Sequence, residues 1–412
     1  MTIVRKHWIP PFALVVGAAL NAASWAIVFA YALAPSQGLE LAWIHTFALG
    51  SLTTISLAVL IHVVPGFTDL RWRFERLARA LTSILPIVAI GLIVSFVAWW
   101  SAGIALFAAF VAATVVLYVA VALVTLARPA ADPADRAVAR ALAFVLTALG
   151  ATAMLGALMA LALVDGEAAA LRLAPIHVVL GIVGWLTLLV VGVSVRTLRP
   201  MLGAPSRFPA LHIVASSLLA GGLLATILAI ALDPAFVRAA LGICALGTIP
   251  YIVDVADRIR RGAIPHWAPR AFVASSLVWM LVAAVAATLG FDRVAVVAAL
   301  AGWLGQMLYA HLHHIGIRVI ATAVLGEDDE TRPWELLDAR TSATTWACAQ
   351  LGVLALVLAL SLQGVPWLSL AAAIFGAMGA VTFGLNATRA IRRARTIAAN
   401  GAGSIDLSRS TR

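Results

Sequence analysis

The chain is 412 residues long, 63% hydrophobic and only 11% charged. Soluble domains are roughly half apolar, so this composition excludes an ordinary water-soluble fold. The formal net charge of +10 invites a nucleic-acid partner, but the positive charge falls in short segments between long apolar runs, which argues for no nucleic acid.

Apolar runs of about 20 residues cross a bilayer as helices. In chain order they fall near 11–33, 42–66, 80–100, 102–127, 141–164, 174–195, 208–232, 235–253, 271–290, 294–317, 341–363 and 366–388. The runs are continuous and rich in Ala and Leu rather than alternating, which excludes barrel strands. The expected fold class is therefore all-α: a polytopic membrane protein with twelve transmembrane helices. One twelve-helix domain covers 1–397, and the Gly-, Ser- and Thr-rich segment 398–412 reads as a disordered cytoplasmic tail. The first run is too long, and too poorly followed by a cleavage site, for a removed signal peptide. The stretches 128–140 and 318–340 are each long enough for an interfacial helix. Cys244 and Cys348 lie inside runs with no C-x-x-C partner and read as small packing residues.

With the N-terminus placed in the cytoplasm, all 28 lysines and arginines except Arg172, Arg238 and Arg293 fall on the cytoplasmic side. That is the positive-inside pattern, and it puts both termini in the cytoplasm of a bacterial inner membrane.

Runs two, six and ten share a signature: Gly50-Ser51-Leu52-Thr53, Gly184-Trp185-Leu186-Thr187 and Gly302-Trp303-Leu304-Gly305. They lie four runs apart, so the twelve divide into three pseudo-repeats of four with these as equivalent inner helices. His45 and His177 precede their glycines by five and seven residues. Twelve residues after the glycines come His62, Arg196 and His314.

No carboxylate lies within the core of a run, and Asp254 and Asp257 mark the cytoplasmic end of the eighth. The polar groups at membrane depth are chiefly histidines, which are costly there and functional by default. His45 and His177 fall at one depth near the outer face, and His62 lies about 25 Å further inward at 1.5 Å per residue. His62 with His311 or His314 forms a second group, and His311 and His314 are one helical turn apart on one face. Neutral imidazole suits heme iron and copper, so these two groups are the candidate cofactor sites. His212 and His313 read as interfacial hydrogen-bonders, and His7 and His266 as solvated.

Twelve runs in three quasi-repeats, with His45-Thr46-x-Ala48 opening the second and His177-x-x-x-Gly181 opening the sixth, resemble subunit I of the heme–copper oxidase superfamily. The C-family oxidases, nitric oxide reductases and the NnrS group are the nearest in pattern, the last through His45-x4-Gly50-x13-Val64-Pro65-x-x-Thr68. The resemblance implies a non-covalent b-type heme with His45 as a ligand. It also implies copper or non-heme iron at His177, with His212 standing where the family has two adjacent histidines. A quinol or cytochrome c would donate electrons, and a second membrane subunit would complete the assembly. The chain departs from the family in three places. Ala295 and Val297 stand where the family has a His-x-His; His311-Leu312-His313 lies about four turns too deep; and runs six and seven contain no tyrosine. A standard oxygen-reducing, proton-pumping centre is therefore not expected.

The function expected is heme or copper binding in electron transfer or nitric-oxide- or oxygen-related redox metabolism. The alternatives are a twelve-span transporter and a metal or heme assembly factor without redox turnover. The loop Pro65-Gly66-Phe67-Thr68-Asp69-Leu70-Arg71 lacks the glycine pattern of major-facilitator carriers, and the repeat by fours is not their six plus six.

Overall fold

The computed structural model describes residues 10–130, 132–165, 172–264, 266–326, 331–362 and 365–409. It contains twelve helices long and apolar enough to cross a membrane. They are α1 (Phe12–Leu33), α2 (Gln37–Thr68), α3 (Glu75–Val97), α4 (Ser101–Leu126), α5 (Pro133–Val164), α6 (Ala174–Leu202), α7 (Pro209–Leu232), α8 (Pro234–Arg261), α9 (Trp267–Leu289), α10 (Asp292–Leu325), α11 (Ala339–Ser361) and α12 (Pro366–Ala399). There is no strand among the described residues. Each helix exceeds the roughly 30 Å hydrocarbon thickness at about 1.5 Å per residue. Their outward faces carry exposed Val15, Leu228, Leu232, Val278 and Leu289, as lipid contact requires. The protein is an all-α polytopic membrane protein.

The ends of several helices differ from the sequence reading. Residues 133–140 form no separate interfacial helix; Pro133 sits at the start of α5, where its missing N–H costs nothing. Residues 318–325 extend α10, and among the described residues that follow before α11 the helical ones are the short turn Pro333–Leu336. Asp338 starts α11 by accepting from the Thr341 backbone N–H (2.8 Å) and hydroxyl (2.6 Å). The last helix continues to Arg409, past the Ala398 at which the sequence suggests a disordered tail.

At the arginine-rich end of the bundle, guanidinium groups tie down loop carbonyls. Arg128 donates to the carbonyls of Thr125 and Arg71, Arg270 to those of Gly262 and Ile264, and Arg393 to those of Leu336 and Leu337. These charges therefore also satisfy backbone groups that have no strand or helix partner.

The core windows of α2 and α10 are 72% and 78% buried, against 28–33% for α5, α7, α8 and α12. α2 and α10 are therefore inner helices. α6 is only half buried because one of its faces lines a large cavity.

The three repeats are visible in the backbone. π-Helical segments run over Thr46–Thr53, Leu180–Thr187 and Ala298–Leu304, each containing one of the anchor glycines. Such wide turns insert an extra residue and rotate the side chains beyond them, and they gather at functional positions. At the centre the Trp185 indole donates to Thr53 Oγ1 across 3.0 Å, joining α6 to α2. The Trp303 indole donates to Thr187 Oγ1 across 3.2 Å, joining α10 to α6. Both bonds run from the residue after one glycine to the third residue after another. The third edge of this ring, α2 to α10, breaks the pattern. Its two positions are Ser51, whose buried hydroxyl has no hydrogen-bond partner, and Gly305. Phe47 fills the gap so closely that a Cβ on Gly305 would lie 2.9 Å from its ring.

Candidate functional site

His45 ends the first, α-helical part of α2, and His177 lies in the matching first turns of α6. The two imidazole centres are 6.3 Å apart, with ring planes 27° from parallel. His45 Nδ1 donates to the Leu41 carbonyl (2.8 Å) and His177 Nδ1 to the Thr152 carbonyl on α5 (2.9 Å). A carbonyl only accepts, so the proton of each neutral ring sits on Nδ1 and the lone pair on Nε2. That is the arrangement in which an outer hydrogen bond orients a metal-binding histidine. Phe96 of α3 packs 4.9 Å from the His45 ring. Gly156 of α5 faces the other ring, where a Cβ would lie 3.1 Å from His177 Cε1. Both rings are half buried.

This pair can be tested against the metal that its residue types imply. One metal ion between two imidazoles places the ring centres about 6 Å apart, from two metal–nitrogen bonds of about 2 Å plus the ring radii. The observed 6.3 Å is close to that separation, but the rings lie stacked, so both would have to turn edge-on for their Nε2 atoms to share one ion. The donor set, two neutral imidazoles, suits iron or copper.

No protein-family model and no curated protein sequence matches this chain.

The other histidines are arranged differently from the sequence reading. His62 is exposed on α2 rather than turned inward toward His311 or His314. His311 Nδ1 donates to the Met307 carbonyl (2.8 Å), and its Nε2 lies 3.2 Å from Thr197 Oγ1 on α6. His314 lies instead beside His266, with ring centres 6.2 Å apart. His266 is 5% exposed, not solvated, and packs against Trp334 at 5.8 Å. Burial first, and then the neighbouring His313 and His314, push its pKa down to about 3. His313 is fully buried between Phe272 and Phe383, with its Nδ1 donating to the Tyr309 carbonyl (2.8 Å). Both nitrogens of His266, Nε2 of His313 and Nδ1 of His314 are buried without hydrogen-bond partners. Among the described residues no three His, Cys, Asp or Glu side chains share a metal position, either here or at the His45–His177 pair. His7 lies outside the described residues.

His212 is held in a buried network that its loop-side position in the sequence does not reveal. Its Nε2 lies 3.1 Å from Ser194 Oγ and its Nδ1 lies 3.1 Å from Asp254 Oδ2. Asp254 is fully buried, pairs with Arg258 across 2.8 Å and accepts from the Ser206 hydroxyl. The order serine, histidine, aspartate is that of a nucleophilic triad. Here the Ser194 hydroxyl donates to the Val191 carbonyl, and none of the three lines the large cavity, so the group is structural. His177 precedes Ser194 by about 25 Å of helix, so His177 and His212 do not share one metal.

A cavity of about 950 Å³ opens among α1, α2 and α6–α11 at the arginine-poor end. Ile44 and Val178, the neighbours of His45 and His177 in sequence, line it, but neither histidine does. The pair faces α3 and α5 instead.

Proposed function

We propose that this chain is a heme- or copper-binding integral membrane protein of a bacterial inner membrane, with both termini cytoplasmic. In this reading it is related to heme–copper oxidase subunit I and acts in electron transfer or in nitric-oxide- or oxygen-related redox metabolism. The observation that supports it is the His45–His177 pair. Two imidazoles from separate pseudo-repeats meet at 6.3 Å, each fixed in the Nδ1-protonated form that leaves Nε2 free. When bound, iron or copper at such a pair supplies one-electron chemistry. The residues present do the rest. Leu41 and Thr152 carbonyls set the ring orientations, Phe96 limits solvent at His45, and Gly156 leaves room for the His177 ring. A quinol or cytochrome c and a second membrane subunit are the partners this reading calls for.

The test is an absorption spectrum of detergent-purified protein, oxidised and dithionite-reduced, with metal analysis on the same sample. Reduced α-bands, or stoichiometric copper, that vanish in both His45→Ala and His177→Ala bear the reading out. Colourless, metal-free protein from cells supplied with heme and copper removes it and leaves the transporter reading in front.

A further inference from the structure

The large cavity is not explained by the histidine pair, and its chemistry is divided in two. Its depth is roughly 16–20 Å, from Asp292 to Trp303 on α10 and from Ala174 to Thr187 on α6, at about 1.5 Å per residue. That is about half to two thirds of the hydrocarbon thickness. The volume of about 950 Å³ is at the upper end for ligand sites.

The interior walls are Val, Ile, Leu and Ala with Met280, Trp43 and Trp303. The three threonines there are already satisfied within the protein. Thr226 donates to the Gly222 carbonyl (2.7 Å), Thr248 to the Ala245 carbonyl (2.7 Å), and Thr187 accepts from Trp303. The interior thus offers an occupant mainly apolar contact, with the buried Trp43 indole N–H as an unpaired donor. No histidine lines it, so an imidazole-ligated group is not its occupant.

The mouth is the reverse. Arg172, Arg238 and Arg293, the three basic residues that break the positive-inside pattern, all line this one cavity. Arg238 is held by Asp292 (2.6 and 2.9 Å) and by the Ala287 carbonyl (2.8 Å). Arg293 reaches Glu40 at 3.3 Å, a loose and exposed pair. Arg172 is exposed and makes no ion pair among the described residues. Among the described residues the rim therefore carries three guanidiniums against two carboxylates, an excess of positive charge above an apolar shaft.

We propose that this cavity binds a membrane amphiphile with a long apolar chain and an anionic headgroup. The chain lies along the shaft down to Thr187 and Trp303, and the carboxylate or phosphate sits against Arg172 with Arg238 and Arg293 beside it. Guanidinium is the side chain best matched to either anion. The site is independent of the metal reading of the His45–His177 pair.

The experiment uses delipidated, detergent-purified full chain and brominated probes, which quench indoles on contact. Trp43 and Trp303 are the reporters on the wall. Dibromostearate should quench saturably, with its methyl ester about tenfold weaker or worse, as loss of a charge-assisted pair implies. Arg172→Gln disturbs no ion pair among the described residues and should weaken dibromostearate binding severalfold. Ala283→Phe with Ala299→Phe fills the shaft and should abolish saturable quenching. Trp303→Phe should remove much of the quenchable signal while leaving helix content unchanged. Dibromo-phosphatidylglycerol run in parallel separates the sources. Tighter binding of the lipid names a phospholipid, and tighter binding of the acid names a free fatty acid. Equal quenching by acid and methyl ester, unaltered by Arg172→Gln and by the shaft-filling pair, would overturn the proposal.

Discussion

Asp254 is the most exacting place to perturb this protein. Its carboxylate is fully buried, 2.8 Å from Arg258 Nε, 3.1 Å from His212 Nδ1, and accepts from Ser206. Arg258 is 1% exposed, so it has no water to turn to. Replacing Asp254 by Ala leaves that guanidinium buried and uncompensated, which costs about 3–5 kcal/mol. Arg258→Met alone strands the carboxylate and should cost a similar amount. The double variant Asp254→Leu/Arg258→Met removes both charges, and its stability should return to within about 1 kcal/mol of the parent or exceed it. Unfolding in a detergent–SDS titration, read by circular dichroism, measures all three. Two single variants that each cost under 1 kcal/mol, with a double equal to their sum, would refute the reasoning, because it would mean that water reaches the pair.

Thr187→Val removes the acceptor of the Trp303 indole and should cost about 1–3 kcal/mol in the same titration, whereas Thr187→Ser should cost less than 1. Gly352 of α11 packs on α12 so closely that a Cβ would lie 2.8 Å from the Gly376 backbone nitrogen. Gly352→Val should therefore lower stability by roughly 1–3 kcal/mol and depress the melting temperature. His266 titrates near 3 in the fold and near 6.5 when unfolded. As pH falls through that window the unfolded chain gains a proton that the folded one does not. Stability should thus fall with a contribution of up to about 1.4 kcal/mol per pH unit. His266→Gln should flatten the acid limb of a stability–pH curve by that one proton, and an unchanged slope counts against the buried placement.

The spans were legible because lipid solvation demands unbroken apolar runs, and the structure has twelve helices where the sequence has twelve runs. The glycine anchors were legible too, because the residues after them bond helix to helix. What failed was the side-chain environment near the ends of helices. His266 sits in a loop five residues after Arg261, a position that ordinarily means water, yet the turn carrying Trp334 packs over it. His62 has the right depth but is exposed, and depth alone does not fix rotation about a helix axis. The pairing of Asp254 with Arg258 had a signal in its four-residue spacing. Its closure by His212 and Ser206 depended on folding of the loop between α6 and α7, which has no periodicity to read.

The incomplete ring of Trp–Thr bonds has a mechanical consequence. Two of the three central seams, α2 with α6 and α6 with α10, are geared by a directional bond that would have to break before either helix slid. The third is held at the centre by the shape of Phe47 against Gly305 and at the outer ends by the exposed Arg293–Glu40 pair, so among the described residues α2 and α10 share no buried hydrogen bond. α6 then behaves as the spine of an open clamp, with two jaws that move relative to one another. His45 and His177 face each other across a geared seam, about 12 Å along α2 from the bond at Thr53. A shift of one jaw against the other would leave the spacing of the two imidazoles unchanged and would be felt first at the Arg293–Glu40 pair on the cavity rim.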